Sequence, residues 1–356
     1  MGFSILNVAY PFAPVCPDTA GGAEQVLLSL DKYLHRNGHR SLVLACRGSR
    51  VNGELREIDV PEGLIDDLTR LSVEKKYRSM IESMVKENGV DLVHFHGIDF
   101  ERYLPSVSVP VLVTLHLPVS WYSPCIPLIN RSQIYFNCVS YNQQSTCRNL
   151  PNLLGVIENG VEISSLSGVQ TREKYAVTMG RICPEKRLHV AMDAAREAGI
   201  AVLLAGKVYP YREHLAYFRE LIVPRLDSCW CRFLGALDPA GRHLILSRAL
   251  CTLVASRAPE TSSLVAMESL ASGTPVITFP SGALPEIVDH GRTGFIVENK
   301  DEMVRAIRKV TSLDRYECRR AAEERFSVRR MCGQYMDMYE SIISVCGCKG
   351  KEHLAG

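Results

Sequence analysis

Short apolar runs rich in β-branched residues alternate along the chain with longer stretches whose apolar positions recur every three or four residues. "SILNVAY" (4–10) predicts a strand. "AEQVLLSLDKYLHRNG" (23–38) follows, and its spacing and closing glycine predict a helix with its C-cap. "SLVLAC", "DLVHFH", "VLVTLH" and "IYFNCVS" predict further strands, with a long amphipathic helix near 65–88. Strands that are apolar throughout belong to a parallel sheet covered by helices on both faces. The pattern restarts at "YAVTMGR" (175–181), then runs through the helix "EKRLHVAMDAAREAG" and the strands "AVLLAG", "CRFLGAL", "ALCTLVAS" and "TPVITF". A helix, "SVRRMCGQYMDMYESIISV" (327–345), closes it. "LLGVIENGVEISSLSGVQTRE" has turn residues and little periodicity, which places a linker near 158–172. The expected class is α/β, with two doubly wound parallel-sheet domains whose C-terminal strand ends face each other across a cleft.

A length of 356 residues fits two domains of ordinary size. A hydrophobic fraction of 46% and a charged fraction of 22% are those of a soluble globular chain. The net charge of +2 makes no electrostatic case for nucleic acid. No apolar run approaches the ~18 residues of a transmembrane helix. The start lacks a basic n-region, so no signal peptide is expected, and Leu6 stands where myristoylation of Gly2 would want Ser or Thr. The 13 cysteines are odd in number, scattered and without a C-x2-C pair, which points to reduced thiols in a reducing cytoplasm rather than zinc or disulfides. "EKKYR" (74–78) is a weak basic cluster, so a peripheral place at the inner face of a membrane stays open beside a cytoplasmic one.

Four places offer chemistry. "YPFAPVCPDTAGGAEQ" puts Gly21 and Gly22 at a strand-to-helix turn, where amides face an anion, and Glu24 in the first helical turn. The alternative is a plain glycine turn with a dipole-matched Glu. "MGRICPEKRLH" puts Arg181 at a strand end and Lys186 at the next helix start, a fork and a point charge suited to a diphosphate, or else a solvated basic cluster. No Asp-x-Asp occurs, so a carboxylate-held Mg²⁺ is not suggested. His94 reads as structural, whereas His96 and His116 fall where strands enter loops, as substrate contacts or as packing. In "APETSSLVAMESLASG", Thr261 or Ser262 is the expected N-cap, which leaves the amides of Ser263, Leu264 and Val265 pointing outward. Glu260 stands just before the cap and Glu268 on the inward face. An unpaired carboxylate there is costly, and a ribose diol would satisfy it; the alternative is an outward Glu or one paired with a structural Arg.

Taken together, the "GGAE" loop, "TLHLP", "IENGV", "GRICPEK", "LAGKV", "FLGAL" and the Glu260-x7-Glu268 element resemble the retaining GT-B glycosyltransferases of family 4, over nearly the whole chain. The resemblance implies two Rossmann-like domains at 1–160 and 161–330, and a segment 331–356 whose helix returns to the first domain. It implies transfer of a hexose from a nucleoside-diphosphate sugar, with UDP the commonest base, to a hydroxyl of a lipid, saccharide or small molecule. Retention and no metal or other cofactor are implied with it. Glu260 would contact the donor sugar and Glu268 the nucleotide ribose. Arg181 and Lys186 would hold the diphosphate with the amides of Gly22, Ser263 and Leu264. His116 would lie beside the anomeric carbon, Gly206, Lys207 and Leu234 beside the base, and Glu24 and His96 on the acceptor side. Thr261-Ser262-Ser263 departs from the Gly-Phe-Gly of many members, which leaves the donor sugar open. A GT-B epimerase or hydrolase, or a non-catalytic nucleotide-sugar-binding module, is the rival reading.

Overall fold

The computed structural model describes residues 2–19, 21–61, 66–129, 131–147, 149–163, 171–227 and 229–352, with side chains described up to residue 346. Residues 164–170 of the expected linker, Met1, and the side chain of Cys348 lie outside the described residues. Two compact units make up the chain: Met1–Glu158 with Met331–Gly356, and Asn159–Arg330.

The first unit carries strands β1 (Ser4–Val8), β2 (Arg40–Cys46), β3 (Glu54–Ile58), β4 (Leu92–Phe95), β5 (Val111–Leu115), β6 (Ile134–Cys138) and β7 (Leu153–Val156). They form one sheet in the order β3-β2-β1-β4-β5-β6-β7, every pairing parallel. Helices α1 (Gly22–Arg36), α2 (Asp67–Asn88) and α3 (Tyr141–Thr146) connect them. The carboxylate of Asp66 caps α2 by accepting from the Thr69 amide at 2.8 Å, and Gly89 ends it at φ 58°, a left-handed turn that suits glycine.

In the second unit, β8 (Tyr175–Met179), α4 (Leu188–Glu197), β9 (Ala201–Ala205), α5 (Arg212–Tyr217), β10 (Cys231–Phe233), α6 (Pro239–Arg248), β11 (Cys251–Val254), α7 (Leu264–Ala271), β12 (Val276–Thr278), α8 (Leu284–Ile287), β13 (Gly294–Ile296), α9 (Lys300–Lys309) and α10 (Arg315–Arg325) follow in order. Their parallel sheet runs β10-β9-β8-β11-β12-β13. The final helix, α11 (Val328–Glu352), starts in this unit, and from Met331 on it belongs to the first. Its Tyr335 and Tyr339 are fully buried and explain that placement. The Tyr339 hydroxyl meets His94 Nδ1 at 2.7 Å, and the Tyr335 hydroxyl meets Thr114 Oγ1 at 3.1 Å and Asn137 Nδ2 at 3.3 Å, all on strands of the first sheet.

Each sheet reverses its strand order once, between β1 and β4 and between β8 and β11. Ligands of open parallel sheets bind outside the carboxyl ends of the strands flanking that switch. The loops leaving β1, β4, β8 and β11 hold Gly21, His96, Arg181 with Lys186, and Glu260.

Candidate active site

In the second unit the loop after β8 is built to bring cations forward. Gly180 continues the strand by donating to Ala205 O at 3.1 Å, and Ile182 N donates to Lys207 O at 3.0 Å. Gly206 has φ 156°, and a Cβ there would sit 1.9 Å from Gly180 O, so only glycine lets these two strand ends approach. Pro184–Lys186 then form a 3₁₀ turn and Arg187 takes φ 48°. Hence α4 starts at Leu188 rather than near residue 185 as the periodicity suggests: a left-handed residue cannot belong to the helix. Arg181 and Lys186 are half-buried, and Lys207 is exposed with its ammonium 5.3 Å from the centre of the Tyr209 ring.

Lys186 Nζ donates to Glu260 Oε1 at 2.5 Å, and only 26% and 10% of the two side chains are exposed. The loop after β11 that carries Glu260 is fixed on both sides. Arg257 N donates to Glu185 O at 2.8 Å, and Ala283 N to Glu260 O at 2.7 Å. Gly282, at φ 58°, lies so close that a Cβ would meet Glu260 O at 2.2 Å.

Helix α7 begins later than expected. Its N-cap is Ser263, whose hydroxyl accepts from Ala266 N at 3.4 Å, not Thr261 or Ser262. Ser263 alone has the extended backbone (φ −115°, ψ 93°) directly before the first helical residue, and its own amide therefore precedes the first turn. The amides of Leu264 and Val265 have no acceptor among the described residues, and the buried Ser262 hydroxyl has no partner among them either. Glu268 faces inward but is not unpaired: its Oε1 accepts from Arg242 Nη2 at 3.1 Å. Burial pushes its pKa up, and Arg242 opposes that shift. Leu234, at the end of β10, is half-buried beside Gly235.

In the first unit the candidate histidines are closed in. His116 Nε2 meets His96 Nδ1 at 3.0 Å, and His96 Nε2 meets Asn7 Oδ1 at 3.3 Å. Burial drives His116 down to about 3, and His96 and His94 well below the usual histidine range, so all three are neutral near pH 7. His94, bonded to Tyr339 and Thr114, is structural. The backbone around His116 is clamped: His116 N donates to the Tyr122 hydroxyl at 2.9 Å, and Gln143 Nε2 donates to Leu115 O and Leu117 O at 2.7 and 2.8 Å. Gly21 is the N-cap of α1, and Gly22 its first residue. Glu24 folds back over Gly21, where its carboxylate lies at the positive end of the helix that an anion would otherwise occupy.

Cys183, Glu185 and His214 bring one donor atom each within 4.8 Å of one another. The His214 Nδ1 is buried without a hydrogen-bond partner among the described residues. The set fits a resident cation poorly: burial lifts the Cys183 thiol to about 11, and the Arg181 charge acts on all three groups.

The description Glycosyltransferase Family 4 matches residues 20–165, and Glycosyl transferases group 1 matches residues 162–325. Sucrose-phosphate synthase from Thermosynechococcus elongatus superposes with TM-score 0.78 over 96% of this chain and 100% of its own, at 18% identity. The chain belongs to the GT-B glycosyltransferases. Its fold is GT-B, with two Rossmann-like parallel-sheet domains. HepE of Anabaena, solved with UDP and glucose, has this fold with TM-score 0.74 at 19% identity, over 95% of this chain and 100% of its own. Among sequence relatives, phosphatidyl-myo-inositol mannosyltransferase of Mycobacterium leprae is 23% identical over 92% of this chain and 96% of its own length. Against other relatives the match spans only 37% to 63% of their length.

Within the second unit Lys186 pairs with Glu260 across the loops after β8 and β11, and Arg242 pairs with Glu268 between α6 and α7. Arg242, Gly282, Tyr122 and Gln143 were not singled out in the sequence. Gly282 is the one with a local signal, a glycine between proline-containing turns in "FPSGALPE". Arg242 has none, because it meets Glu268 from 26 residues away.

Proposed function

We propose that this glycosyltransferase is a retaining family 4 enzyme that moves a hexose from a nucleoside-diphosphate sugar, with UDP as the nucleotide, to an acceptor hydroxyl, without a metal. The observation that carries the reading is the Lys186–Glu260 pair, which joins the loop after β8, where Arg181 also lies, to the loop that leads into the Ser263 cap of α7, at the switch point of the second sheet. A diphosphate leaving group gains charge as the anomeric C–O bond breaks. Lys186, Arg181 and the Leu264 and Val265 amides stabilise that charge without reorganising. Glu260, held by Lys186, accepts from hydroxyls of the donor sugar. The acceptor oxygen bonds to the anomeric carbon on the face the diphosphate leaves, and its proton passes to the departing phosphate oxygen. Neutral His116, fixed by His96 and Tyr122, orders the sugar rather than supplying a proton. HepE, solved with UDP-glucose, supports the choice of nucleotide.

The test mixes the protein with UDP-, GDP- and ADP-sugars and follows melting temperature and products. A bound nucleotide sugar at 100 times its dissociation constant adds about 2.7 kcal/mol of stability. Transfer to an added hydroxyl acceptor with the anomeric configuration kept is expected. Isomerisation, inversion, or binding without turnover on any acceptor class would contradict the reading.

A further inference from the structure

We infer that Arg242 is a positioning residue for the nucleotide, which keeps the Glu268 carboxylate ionised and aimed so that its second oxygen accepts from the ribose. The inference rests on the proposed ribose role of Glu268 and extends it. Arg242 reaches the carboxylate from α6 at 3.1 Å, and the side chains are only 16% and 21% exposed. Its Nη1 donates to Leu237 O at 3.3 Å, which ties the guanidinium to the loop after β10, the loop that also holds Leu234. The base of α6 is itself fixed, since Asp238 Oδ1 accepts from Gly241 N at 2.7 Å. Arg242 occupies one oxygen of Glu268. A carboxylate offers about four lone-pair sites, so Oε2 can still take the ribose hydroxyls.

The surroundings leave Arg242 as the charge that matters. From α6, His243 bonds the Ser272 hydroxyl at 3.4 Å. From α10, Arg315 and Arg319 donate to Gly273 O and Ala271 O at the far end of α7. Glu286 lies on α8, and the strands beneath α7 supply Cys251, whose thiol burial lifts to about 12. Burial raises the Glu268 pKa, and Arg242 is the partner that lowers it. Removing Arg242 therefore raises it further. A protonated Glu268 loses acceptor strength, so nucleotide affinity should fall as pH drops through its pKa. Without Arg242 that fall begins at higher pH, because a neighbouring positive charge favours the ionised carboxylate.

The experiment measures UDP affinity from about pH 5 to about pH 8, a span in which folded proteins are generally stable. It compares the full-length protein with Arg242→Leu, Arg242→Lys and Glu268→Gln, and takes the ligand-free melting temperature of each. Arg242→Leu should bind UDP about tenfold more weakly near the acid end and recover near the alkaline end. Arg242→Lys should restore most of the wild-type profile, and it carries the test if the Leu variant does not fold. Glu268→Gln should bind weakly at every pH. A melting temperature lowered in Arg242→Leu with an unchanged UDP profile overturns the inference, because Arg242 is then structural. Weak binding by Glu268→Gln with wild-type behaviour in both Arg242 variants overturns it while leaving the ribose reading intact. Unchanged UDP affinity in Glu268→Gln, or no binding of UDP by the wild type, removes the ribose reading and the inference with it.

Discussion

The two units solve opposite problems with the same sheet. In the second unit the side chains form oppositely charged pairs: Lys186 with Glu260 in the loops after β8 and β11, and Arg242 with Glu268 between α6 and α7, with Arg181 in the loop that carries Lys186. At the switch of the first sheet the polar groups are neutral and locked: Asn7, His96 and His116 in one chain of hydrogen bonds, with the His116 backbone clamped by Tyr122. In the proposed reaction, charge would hold the diphosphate and stabilise its departure, and neutral groups would orient the sugar without a competing counter-ion. The comparison yields predictions that fail differently on each side.

The largest effect is expected on the charged side. Lys186→Ala should cut turnover at saturating donor by about 100-fold, the scale for losing one transition-state donor. It also strands Glu260, so circular dichroism and melting must show that the variant is folded. Wild-type-like turnover would remove Lys186 from the diphosphate. On the neutral side, His116→Ala should lower turnover by about tenfold, through lost orientation. UDP affinity should stay within about twofold, less than the tenfold that ~1.4 kcal/mol represents. A large loss of UDP affinity would erase the distinction between the units.

A smaller effect separates the units by pH. The three buried histidines have folded pKa values below the unfolded value of about 6.5. The unfolded chain therefore binds more protons below that value. Stability is full above about pH 6.5 and declines as pH falls from there toward 3. Each such group contributes at most about 1.4 kcal/mol per pH unit. A melting temperature insensitive to pH between about 6.5 and 5 would contradict the neutral chain. The smallest effect is none at all. Excess chelator should leave most turnover in place, and complete loss restored by Mg²⁺ or Mn²⁺ would show that a ligand set has been missed.

How far the sequence alone reached follows the same divide. Periodicity locates strands such as β1, β2, β4 and β5, because buried parallel strands are apolar throughout. It misses β3, β7 and β13: β3 reads "ELREI" on an exposed edge, β7 is only "LLGV" and runs straight into turn residues, and β13 has three residues with a glycine. Helix starts slip where local geometry overrides pattern, at left-handed Arg187 and at the Ser263 cap. The carboxylates and cations were legible as types at strand ends. Their pairing was not. Glu268 reads as a ribose ligand or as the partner of a structural Arg, and the pattern cannot name Arg242, which meets it from 26 residues away. The pattern leaves His116 as a substrate contact or as packing, and its burial comes with Tyr122 and Gln143, which bond the backbone at and beside it from outside the strand.

The central claim is that the loop after β8 holds a diphosphate, and comparing UDP with uridine tests it most directly. Arg181→Ala should leave uridine affinity nearly unchanged and weaken UDP by about tenfold or more, since hydrogen bonds to charged groups contribute about 1.5–3 kcal/mol. The ratio of the two affinities then collapses in the variant. If UDP and uridine keep their wild-type ratio in Arg181→Ala, the diphosphate does not sit at that loop and the account of the second unit is wrong.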